Sequence, residues 1–579
     1  MPSSATLLRA ITAIAVSILL YSCFFSKDSL PKGDPDNGGL VLPDGFEAVV
    51  VVDSVGKGRH LAVNSNGDIY MRMRNVSPEG GNLALRDTNH DGKADIIQLF
   101  GHFDDRINYG TAMRIHNGYI YYSTSSTVYR TRLEEGKLVP SGEPEVIVFD
   151  SIVGNGGRVE HCAKPITFDD EGHIYVPFGA PGDVCQEENR KPGGKGKMPC
   201  DELEWHGGVW RFDANKPNQT QRDGEKYATG IRSIVAMDWN HSDKNLFALQ
   251  HGRDNLSRVW PELYSAWQSA LLPSEEFFKV TKGFDGGWPY YYYDQLQGKK
   301  VQSPEYGGDG KKTNGAEKVG QPLIGFPGHV APNDLHFYLG DQFPDHYKNG
   351  AFIALHGSTI RAPYPQAGYM IAFVPFKDGL PSGPWEVFAD GFAQVDTIVN
   401  TSDAHARPVG LAMGPDGSLY ISDSVRGKIW RIMYKGSKSG FGEAQLAKME
   451  ARKQRTNIKN PDEKEDNLQK GAIAAGEQLY NTYCSTCHLA DGNGDGNRYP
   501  PLTASETVAG HPKKLIEVVL KGFSGPITVK GKPFNGVMPP HDFLTDDQLA
   551  QILTYIRMGF KNNSSPISAE HIKRVRGEK

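Results

Sequence analysis

One hairpin pattern recurs six times in this sequence and limits the possible folds more than any other feature. Each copy has an apolar strand start, a turn of Gly, Asp or Asn, and a second strand of aromatic and β-branched residues. The copies are LAVNSNGDIYMRMR, MRIHNGYIYYSTSSTVYR, ITFDDEGHIYVPFGAPGD, VAMDWNHSDKNLFALQHG, LHFYLGDQFPDHYKNGAFIALHG and LAMGPDGSLYISDSVRGKIWRI. Irregularly spaced repeats of one hairpin predict an all-β six-bladed propeller over residues 40–435. One or two β-sandwiches are the alternative, although sandwiches rarely repeat one hairpin this often.

The composition fits a chain of many turns and argues against one class of partner. The 579 residues include 66 Gly, 37 Pro and 25 Tyr, which favours short strands over a helical protein. The formal net charge is -5, from 63 basic and 68 acidic residues, and no dense Lys/Arg run occurs. Because proteins bind a phosphate backbone through such runs, we expect no nucleic acid partner.

The character of the sequence changes after the last repeat. Residues 436–468 are charged and poor in β-formers, which predicts a linker, partly helical at 442–455. Residues 469–562 have helical periodicity and predict a small all-α domain, in which Thr545 opens a capping-box pattern. Residues 563–579 are expected to form a C-terminal tail.

The segment NTYCSTCHLADGNGDG contains a C-x-x-C-H motif formed by Cys484, Cys487 and His488. Two thiols three residues apart can each bond one vinyl group of a haem, and the next residue, a His, can ligate the iron from the same side. A zinc or redox C-x-x-C would not require the His. Met538, in NGVMPPHDF, is the predicted second iron ligand, and His541 leaves a bis-His site as the alternative.

This part of the chain resembles the class I cytochrome c domain over residues 470–562. The resemblance lies in the motif itself, in DGNGDGNRYPPL after it and in the Met-Pro-Pro turn. It implies a covalent haem c whose iron is held by His and Met. Such an iron carries electrons but binds no oxygen, because all six coordination positions are filled. The haem is therefore predicted to be an electron relay, which needs an electron source.

Residues 1–23, MPSSATLLRAITAIAVSILLYSC, have the layout of an export signal, with Arg9 before an apolar run that stops at Cys23. The end of this segment resembles a bacterial lipobox, although Tyr21 is unusual there. The resemblance implies a lipid anchor on Cys23, with an ordinary signal or an uncleaved anchor as alternatives. We therefore expect an exported protein, lipid-anchored to a membrane in the periplasm or cell envelope.

Three further cysteines, Cys162, Cys185 and Cys200, lie in the middle of the chain. An odd number allows at most one disulfide within this group. We predict the pair Cys185–Cys200, because closing the Gly/Lys-rich loop CQEENRKPGGKGKMPC would order it. Cys162 would then be a buried thiol.

Two stretches of the propeller carry residues of catalytic type. RVEHCAKPITFDDEGHIYVPFGAPGD contains His161 before a strand, and YATGIRSIVAMDWNHSDKNLFALQHGRDNL contains Arg232 after a Thr-Gly turn. Both residues occupy loop positions that would face the mouth of the central channel. By residue type alone, a His and an Arg at loop ends are more often surface or structural residues.

From residue 40 to 433 the chain resembles the soluble pyrroloquinoline quinone (PQQ) dependent sugar dehydrogenases, and among them the L-sorbosone dehydrogenases. The closest matches are HVAPNDLHFYLGDQFPDHYKNGAFIALHGS, GYMIAFVPFKDG and RPVGLAMGPDGSLYISDSVRGKIWRI. The resemblance implies that His161, preceded by the acidic Glu160, is the catalytic base. It also implies that Arg232 contacts PQQ and assists catalysis, while Ser233 stands where the family has Asn.

The same resemblance assigns further cofactor contacts. The backbone carbonyls of Gly252 and Arg253 would bind a calcium ion that also holds the quinone, and Arg407 would meet a PQQ carboxylate. His356 falls where some relatives have a cofactor-contacting Lys. Because PQQ carries three carboxylates, two arginines and a calcium ion would answer its charge.

These features together predict an exported quinohaemoprotein that oxidises a sugar or a sugar-derived aldehyde. The substrate would pass hydride to PQQ, and electrons would then move singly to the fused haem and on to a downstream acceptor. The alternative is a carbohydrate-binding propeller without PQQ activity, whose cytochrome serves another dehydrogenase. The stretch GGWPYYYYD, residues 286–294, would either stack on a sugar or pack between blades.

A second calcium site is suggested by DTNHDGKAD. Asp87, Asn89, Asp91 and Asp95 occupy positions 1, 3, 5 and 9 of a calcium loop. Gln98 stands where an EF-hand has its bidentate Glu, so the loop is at best a variant. A solvated turn of Asx residues is the alternative, and a bound ion would be structural.

Overall fold

The chain is described by a computed structural model, which covers residues 30–577 except 106, 155, 156, 158, 463, 464 and 563. The all-β propeller prediction is confirmed, because six antiparallel sheets surround a central channel. The first blade has the strands Gly58–Val63, Ile69–Ser77, Gly80–Arg86 and Ile96–Phe100. The second has Met113–His116, Tyr119–Ser123, Thr127–Arg132 and Glu145–Phe149. The third has Thr167–Phe168, His173–Phe178, Gly208–Asp213 and Glu225–Thr229.

The remaining blades follow the same order, with the first strand of each innermost. The fourth has Ile234–Asn240, Asn245–Gln250, Glu275–Val280 and Ile324–Phe326. The fifth has Pro332–Phe337, Ala351–Leu355, Met370–Val374 and Glu386–Ala389. The sixth has Pro408–Met413, Leu419–Asp423, Ile429–Tyr434 and, from the start of the chain, Phe46–Val52. Short additions are the strands Gln219–Thr220, Phe284–Asp285, Tyr291–Asp294, Lys299–Gln302, Phe376–Lys377 and Leu380–Pro381 and the helices Ser151–Gly154, Leu256–Val259 and Ala266–Leu271.

The hairpin turns explain why the repeats can be recognised in the sequence. In the second blade, Asn117 and Gly118 both have positive φ, 48° and 77°. An Asn-Gly pair tolerates this left-handed backbone, and the resulting twist matches that of the flanking strands. The side chains facing neighbouring blades form the propeller's hydrophobic core, so the recurring pattern of turn and apolar strand encodes both the hairpin and its packing.

The ring of blades is closed by pairing its two ends. Phe46–Val52 is the outer strand of the sixth blade and pairs antiparallel with Ile429–Tyr434, with Phe46 opposite Tyr434. Phe46 lies buried among aromatic rings of the fifth and sixth blades, including Phe343 at 4.8 Å between ring centroids. The ends of the propeller are thus held by both main-chain hydrogen bonds and aromatic packing.

The segment predicted as a linker packs against the propeller. It contains the helix Glu443–Glu450, followed by a 3-10 turn. Met449 and Ile458 are buried in the propeller core, and Arg452 Nε lies 2.9 Å from Asp390 Oδ2. Apolar residues in a charged segment are therefore used to fasten it to the ring.

The C-terminal domain is helical, with one addition to the predicted all-α fold. Its helices are Glu465–Tyr483, Ser485–His488, Glu506–Ala509, Pro512–Lys521, Asp546–Met558 and Ala569–Gly577. A two-stranded hairpin, Phe523–Val529 with Lys532–Met538, lies between the helices. The expected tail contributes Ile567, Ile572 and Val575 to the core of this domain. It also contacts the propeller, where Ser565 Oγ donates to the carbonyl of Val399 at 2.9 Å.

In the part of the chain that the structure describes, no helix has the length and apolar character needed to cross a bilayer. The predicted signal segment and Cys23 lie outside the described residues.

Candidate functional site

A cavity of about 660 Å³ opens at one end of the propeller channel. It lies where the innermost strands begin and where the second strands of the hairpins end. The fold thereby brings together predicted site residues that are far apart in sequence. Those lining the cavity are His161, Arg232, Ser233, Gly252 and His356.

His161 is arranged to accept a proton. Its Nδ1 lies 2.7 Å from the carbonyl oxygen of Ala180, and only an N–H can make that contact, so Nε2 is the unprotonated nitrogen. Burial, together with the nearby Arg232, holds the pKa of His161 well below its usual 6.5. The imidazole is therefore neutral at physiological pH, with its basic nitrogen free of the backbone contact.

Arg232 is buried and held rigidly by protein groups. Its Nη2 lies 2.6 Å from Asp183 Oδ1 and 3.3 Å from Asp254 Oδ2, and its Nη1 donates to the carbonyl of Gly252 at 2.8 Å. Asp183 is fully buried, and three arginines, with Arg232 foremost, hold its pKa below the usual value against the effect of burial. This carboxylate fixes the guanidinium at the edge of the cavity.

The predicted calcium ligands are only partly free. The Gly252 carbonyl, assigned to calcium by resemblance, already accepts the hydrogen bond from Arg232, which leaves one lone pair. The Gly252 amide donates to Glu275 Oε2 at 2.8 Å, and burial raises the pKa of Glu275 to about 8. Arg253 points away from the cavity, with its guanidinium 2.6 Å from Glu305.

His356 and Arg407 form one unit rather than two separate cofactor contacts. Arg407 Nη2 donates to His356 Nδ1 at 2.9 Å, and His356 Nε2 lies 2.7 Å from Ser424 Oγ. Because a guanidinium only donates, His356 must carry its proton on Nε2. Both ring nitrogens of His356 are thus used within the protein, and Arg407 lies behind it.

Two arginines that line the cavity, Arg59 and Arg74, and Arg407 behind His356 have no carboxylate as an ion-pair partner among the described residues. The three arginines interact electrostatically with one another. Burial lowers the pKa of Arg59 to about 10, and its Nε is buried without a hydrogen-bond partner. Unpaired buried cations are costly, so this group fits a ligand with several carboxylates.

Sequence reasoning missed several of these residues. Arg59 and Arg74 line the cavity, as do Arg190 and Asp254. A signal existed for Arg59, since a charged residue opens the innermost strand GRHLAV, which is otherwise mostly apolar. Asp254 follows the assigned calcium segment directly. Arg190 lies in a Gly/Lys-rich loop in which its charge is unremarkable.

The predicted haem residues surround a second, hydrophobic cavity in the C-terminal domain. Cys484, Cys487, His488 and Met538 all line it, and both cysteines have free thiols. His488 Nδ1 lies 3.0 Å from the carbonyl of Pro500, which fixes the tautomer and leaves Nε2 to ligate a metal. Two thiols, one oriented imidazole and one thioether in an apolar crevice fit a covalently bound haem.

Two candidates for the second iron ligand lie in this crevice. Met538 ends the hairpin strand Lys532–Met538, and His541 lines the same cavity with its Nδ1 buried and without a partner. His541 lies near enough to His488 to lower its pKa, although burial is the larger cause. The bis-His alternative therefore has a structural basis and stays open beside the predicted His/Met pair.

The predicted disulfide, the predicted buried thiol and the aromatic stretch 286–294 all have defined places in the structure. The disulfide Cys185–Cys200 is present and Cys162 is a buried thiol, as predicted. In the stretch at 286–294, Trp288 packs on this disulfide and Tyr292 is buried, so packing is the observed role of both.

In the predicted calcium loop, the acidic side chains accept hydrogen bonds within the turn. Asp87, Asp91 and Asp95 each accept from a backbone amide, and Asn89 accepts from Asp91. One oxygen of this loop, Asp87 Oδ1, is buried without a hydrogen-bond donor and is left for an ion. The second calcium site stays a prediction.

Solved structures with the same propeller support the fold. A Trichoderma reesei protein of carbohydrate-active enzyme family AA12, described as a calcium structure, aligns with a TM-score of 0.55 and 18% identity over 70% of this chain and 99% of that one. The PQQ domain of a pyranose dehydrogenase from Coprinopsis cinerea, in its holo form, aligns with a TM-score of 0.54 and 17% identity over 70% of this chain and 98% of that one.

Sequence comparisons assign both domains. Cytochrome c-552 of Thermus thermophilus is 36% identical over 121 residues, 19% of this chain and 78% of that protein. An uncharacterised protein of Borreliella burgdorferi is 27% identical over 219 residues, and the chain covers about half of it, 51%. Residues 473–559 match the cytochrome c family, and residues 40–435 match the family described as TrAA12-like. The chain therefore belongs to the TrAA12-like family and carries a cytochrome c domain after its propeller.

Proposed function

We propose that this chain is a PQQ-dependent dehydrogenase that oxidises a sugar or a sugar-derived aldehyde and passes the electrons to its own haem c. The observation that carries the proposal is the make-up of the propeller cavity. A neutral His161 with a free Nε2 lies in one cavity with Arg59 and Arg74, which have no carboxylate as an ion-pair partner among the residues that the structure describes. A base beside a site suited to a polyanion is the combination that hydride removal to a carboxylated quinone requires.

The cofactor fits the residues present in charge. Arg59 and Arg74 would meet its carboxylates from the cavity wall, and Arg407 would add positive charge from behind His356. Arg232 lies at the cavity edge with its geometry fixed by Asp183. Bound there, PQQ would supply a carbon that accepts hydride from the substrate. Support also comes from the pyranose dehydrogenase with the same fold, whose structure is that of a PQQ domain.

His161 would take the proton of the substrate hydroxyl, or of the hydrated aldehyde, at Nε2. Its Nδ1–H stays on the Ala180 carbonyl, which stabilises the imidazolium that forms. The guanidinium of Arg232 would stabilise negative charge that develops at the cavity edge. Because Asp183 and Asp254 hold it in place, Arg232 needs no rearrangement during the reaction.

Calcium is part of the proposal, with the Gly252 carbonyl as the ligand that the cavity offers. Arg253 would contribute only its backbone carbonyl, since its side chain pairs with Glu305. Ser233 lines the cavity and is 5% exposed, so its hydroxyl is available to a bound group.

The cytochrome c domain would provide the exit for electrons. Haem c supplies one-electron transfer, and Cys484, Cys487 and His488 are placed to bind it on one side of the crevice. The acceptor beyond the haem would be another redox protein or a respiratory chain.

We also propose export and a lipid anchor at Cys23. Radiolabelled palmitate fed to the host should be incorporated into the protein but not into Cys23→Ser. Equal labelling of the two would refute the lipid anchor.

Reconstitution tests the enzymatic proposal directly. Purified protein is incubated with PQQ and Ca²⁺, a panel of aldoses and aldehydes is added, and haem reduction is followed by absorbance. We expect substrate-dependent reduction that falls by roughly 10²–10⁴-fold in His161→Ala, the range for loss of a general base. His241→Ala, an exposed His paired with Asp170, serves as the matched control and should keep full activity.

Two results would contradict the proposal. One is the absence of haem reduction with every substrate, which would favour a carbohydrate-binding propeller whose cytochrome serves another dehydrogenase. The other is equal activity in His161→Ala and the unaltered protein, which would remove the histidine from the reaction.

A further inference from the structure

The loop closed by the disulfide Cys185–Cys200 sends one arginine into the propeller cavity. Arg190 lies within this loop and lines the cavity. Its backbone amide donates to Gln186 Oε1 at 2.9 Å, and its φ is 57°. A left-handed backbone is unfavourable for a residue with a side chain, and such strain concentrates at functional sites.

The loop holds both oxygens of the acidic residue next to His161. Arg190 Nη1 lies 2.6 Å from Glu160 Oε2, and Asn189 Nδ2 donates to Glu160 Oε1 at 2.9 Å. Glu160 is adjacent to His161 in the chain, so the direction of its side chain constrains the backbone that carries the histidine. The Glu160 amide also donates to the Pro181 carbonyl at 3.3 Å.

The same arginine joins the carboxylates that hold Arg232. Arg190 Nη2 lies 3.2 Å from Asp254 Oδ2 and 3.7 Å from Asp183 Oδ1. Arg232 Nη2 contacts the same two oxygens, at 3.3 Å and 2.6 Å. Two arginines therefore share two aspartates, and the planar guanidinium of Arg190 bridges this group to Glu160.

We propose that Arg190 is a positioning residue that aligns His161 and Arg232 with each other across the cavity. This inference rests on the proposed function for the reaction concerned, whereas the contacts themselves do not depend on it. Arg190 acts through Glu160 and Asp254 and takes no part in bond making. The disulfide serves to hold the loop so that this side chain reaches the two carboxylates.

The proposal can be tested in the cofactor-free protein, because the pKa of His161 responds to the charged groups around the imidazole. These groups are Arg232, Arg190 and Asp183, and Glu160 precedes His161 in the chain. Replacing Arg190 by a neutral residue removes a positive charge and leaves Glu160 without its ion-pair partner. Both changes favour the imidazolium, so the pKa of His161 should rise towards its usual value.

Three variants test this role. Arg190→Gln removes the charge, Arg190→Lys keeps the charge but not the bidentate geometry, and Lys191→Gln is the matched control, because the exposed Lys191 pairs only with Glu188 in the same loop. In the protein without PQQ, the rate at which diethyl pyrocarbonate modifies His161 is followed against pH by peptide mass spectrometry. The holoprotein is then assayed for kcat and KM by haem reduction.

We expect the modification midpoint of Arg190→Gln to move to higher pH, and its kcat to fall about ten- to a hundredfold, the scale of a small misplacement of reacting groups. Arg190→Lys should keep the midpoint near that of the unaltered protein while kcat still falls. Lys191→Gln should match the unaltered protein in both.

An unchanged midpoint together with an unchanged kcat in Arg190→Gln would overturn the inference, and so would full kcat in Arg190→Lys. If Arg190→Gln fails to fold, as judged by its melting curve, Arg190→Lys alone decides the matter through kcat. If the unaltered protein with PQQ reduces no haem, the proposed function fails, while the modification midpoint of His161 still tests the contact with Arg190.

Discussion

At the residue scale, the cavity places one neutral base among several cations. His161 keeps its proton on the nitrogen that faces Ala180, while Arg190 and Arg232 lie close enough to disfavour a second proton. The cations in turn differ in their partners, because Arg232 is paired with carboxylates and Arg59 is not. The paired arginine is therefore a fixed part of the protein, and the unpaired one is available to a ligand.

This arrangement predicts how the reaction responds to pH. The active form of His161 is the neutral imidazole, and its pKa lies well below 6.5. Activity should thus persist as the pH falls through 6.5 and decline only at lower pH, when the imidazole gains a proton. The measurement is kcat/KM for haem reduction against pH in the PQQ-loaded protein. A fall of kcat/KM with an apparent pKa at or above 6.5 would contradict the buried His161 as the base.

The iron ligands can be separated by two substitutions. Met538→Ala should remove the long-wavelength sulphur-to-iron charge-transfer band and lower the haem potential by roughly 0.1 V or more, within the ~0.8 V range that axial ligands span. His541→Ala, in the same crevice, is the control and should change neither. Spectra and redox titration of the haem measure both effects. Absence of the band from the unaltered protein, together with a haem potential that changes in His541→Ala and not in Met538→Ala, would establish the bis-His alternative.

At the element scale, the structure follows local signals wherever those signals are strong. The hairpins with Asn-Gly and Asp-Gly turns form where the sequence predicts them, because a turn with fixed handedness sets the strand register. The same holds for the capping box at the start of Asp546–Met558, where the hydroxyl of Thr545 accepts from the amide of Gln548 at 3.2 Å. The hairpin Phe523–Val529 with Lys532–Met538 was missed, since Lys530 and Gly531 are a weak turn signal.

The cap has a measurable contribution. Thr545→Ala leaves the first amides of the helix without their acceptor and should lower the free energy of unfolding of the cytochrome domain by about 1 kcal/mol. Thr482→Ala provides the comparison, because Thr482 is exposed within the helix Glu465–Tyr483 and bonds only to the carbonyl of Gln478. That substitution should be neutral or slightly stabilising. Denaturant unfolding followed by haem absorbance distinguishes the two, and equal effects would contradict the capping role.

At the scale of the whole molecule, the charged segment after the propeller, residues 436–468, packs against the ring of blades. We call this segment the strap. Many of its polar residues face solvent, as the sequence suggests, but Met449 and Ile458 pack against the propeller core. The apolar residues of this 33-residue segment are few and irregularly spaced, and this pattern is too weak to predict the packing from sequence. The cytochrome domain reaches the propeller again at its far end, through Ser565 on Val399 and through His511, 3.4 Å from Asp403.

The strap can be tested through its buried methionine. Met449→Ala should lower the free energy of unfolding of the propeller by about 2–5 kcal/mol, the usual loss for a buried Met. The control is Met198→Ala, since Met198 is 78% exposed and should be neutral. Thermal unfolding followed by far-ultraviolet circular dichroism gives both values. A neutral Met449→Ala would mean that the segment is not fastened to the ring.

The limits of sequence reasoning at this scale have a common physical cause. Two of the residues predicted in the cavity, His161 and Arg232, lie in loops shortly before recognisable hairpins. Arg190 and Asp254 depend on contacts between loops of different blades, and Arg190 lies 30 positions from Glu160, which it binds. Such contacts leave no periodicity in the chain, because the ring as a whole, and not any local segment, brings them together.

The pairing of Phe46–Val52 with Ile429–Tyr434 also has a consequence for synthesis. The first strand made must wait for the last strand of the propeller before it has a partner, so the ring stays open until most of the chain has left the ribosome. A chain with unpaired strand edges for so long is exposed to misassembly with its neighbours. The charged segment and the cytochrome domain both follow the closing strand in the chain, so neither is made before that strand.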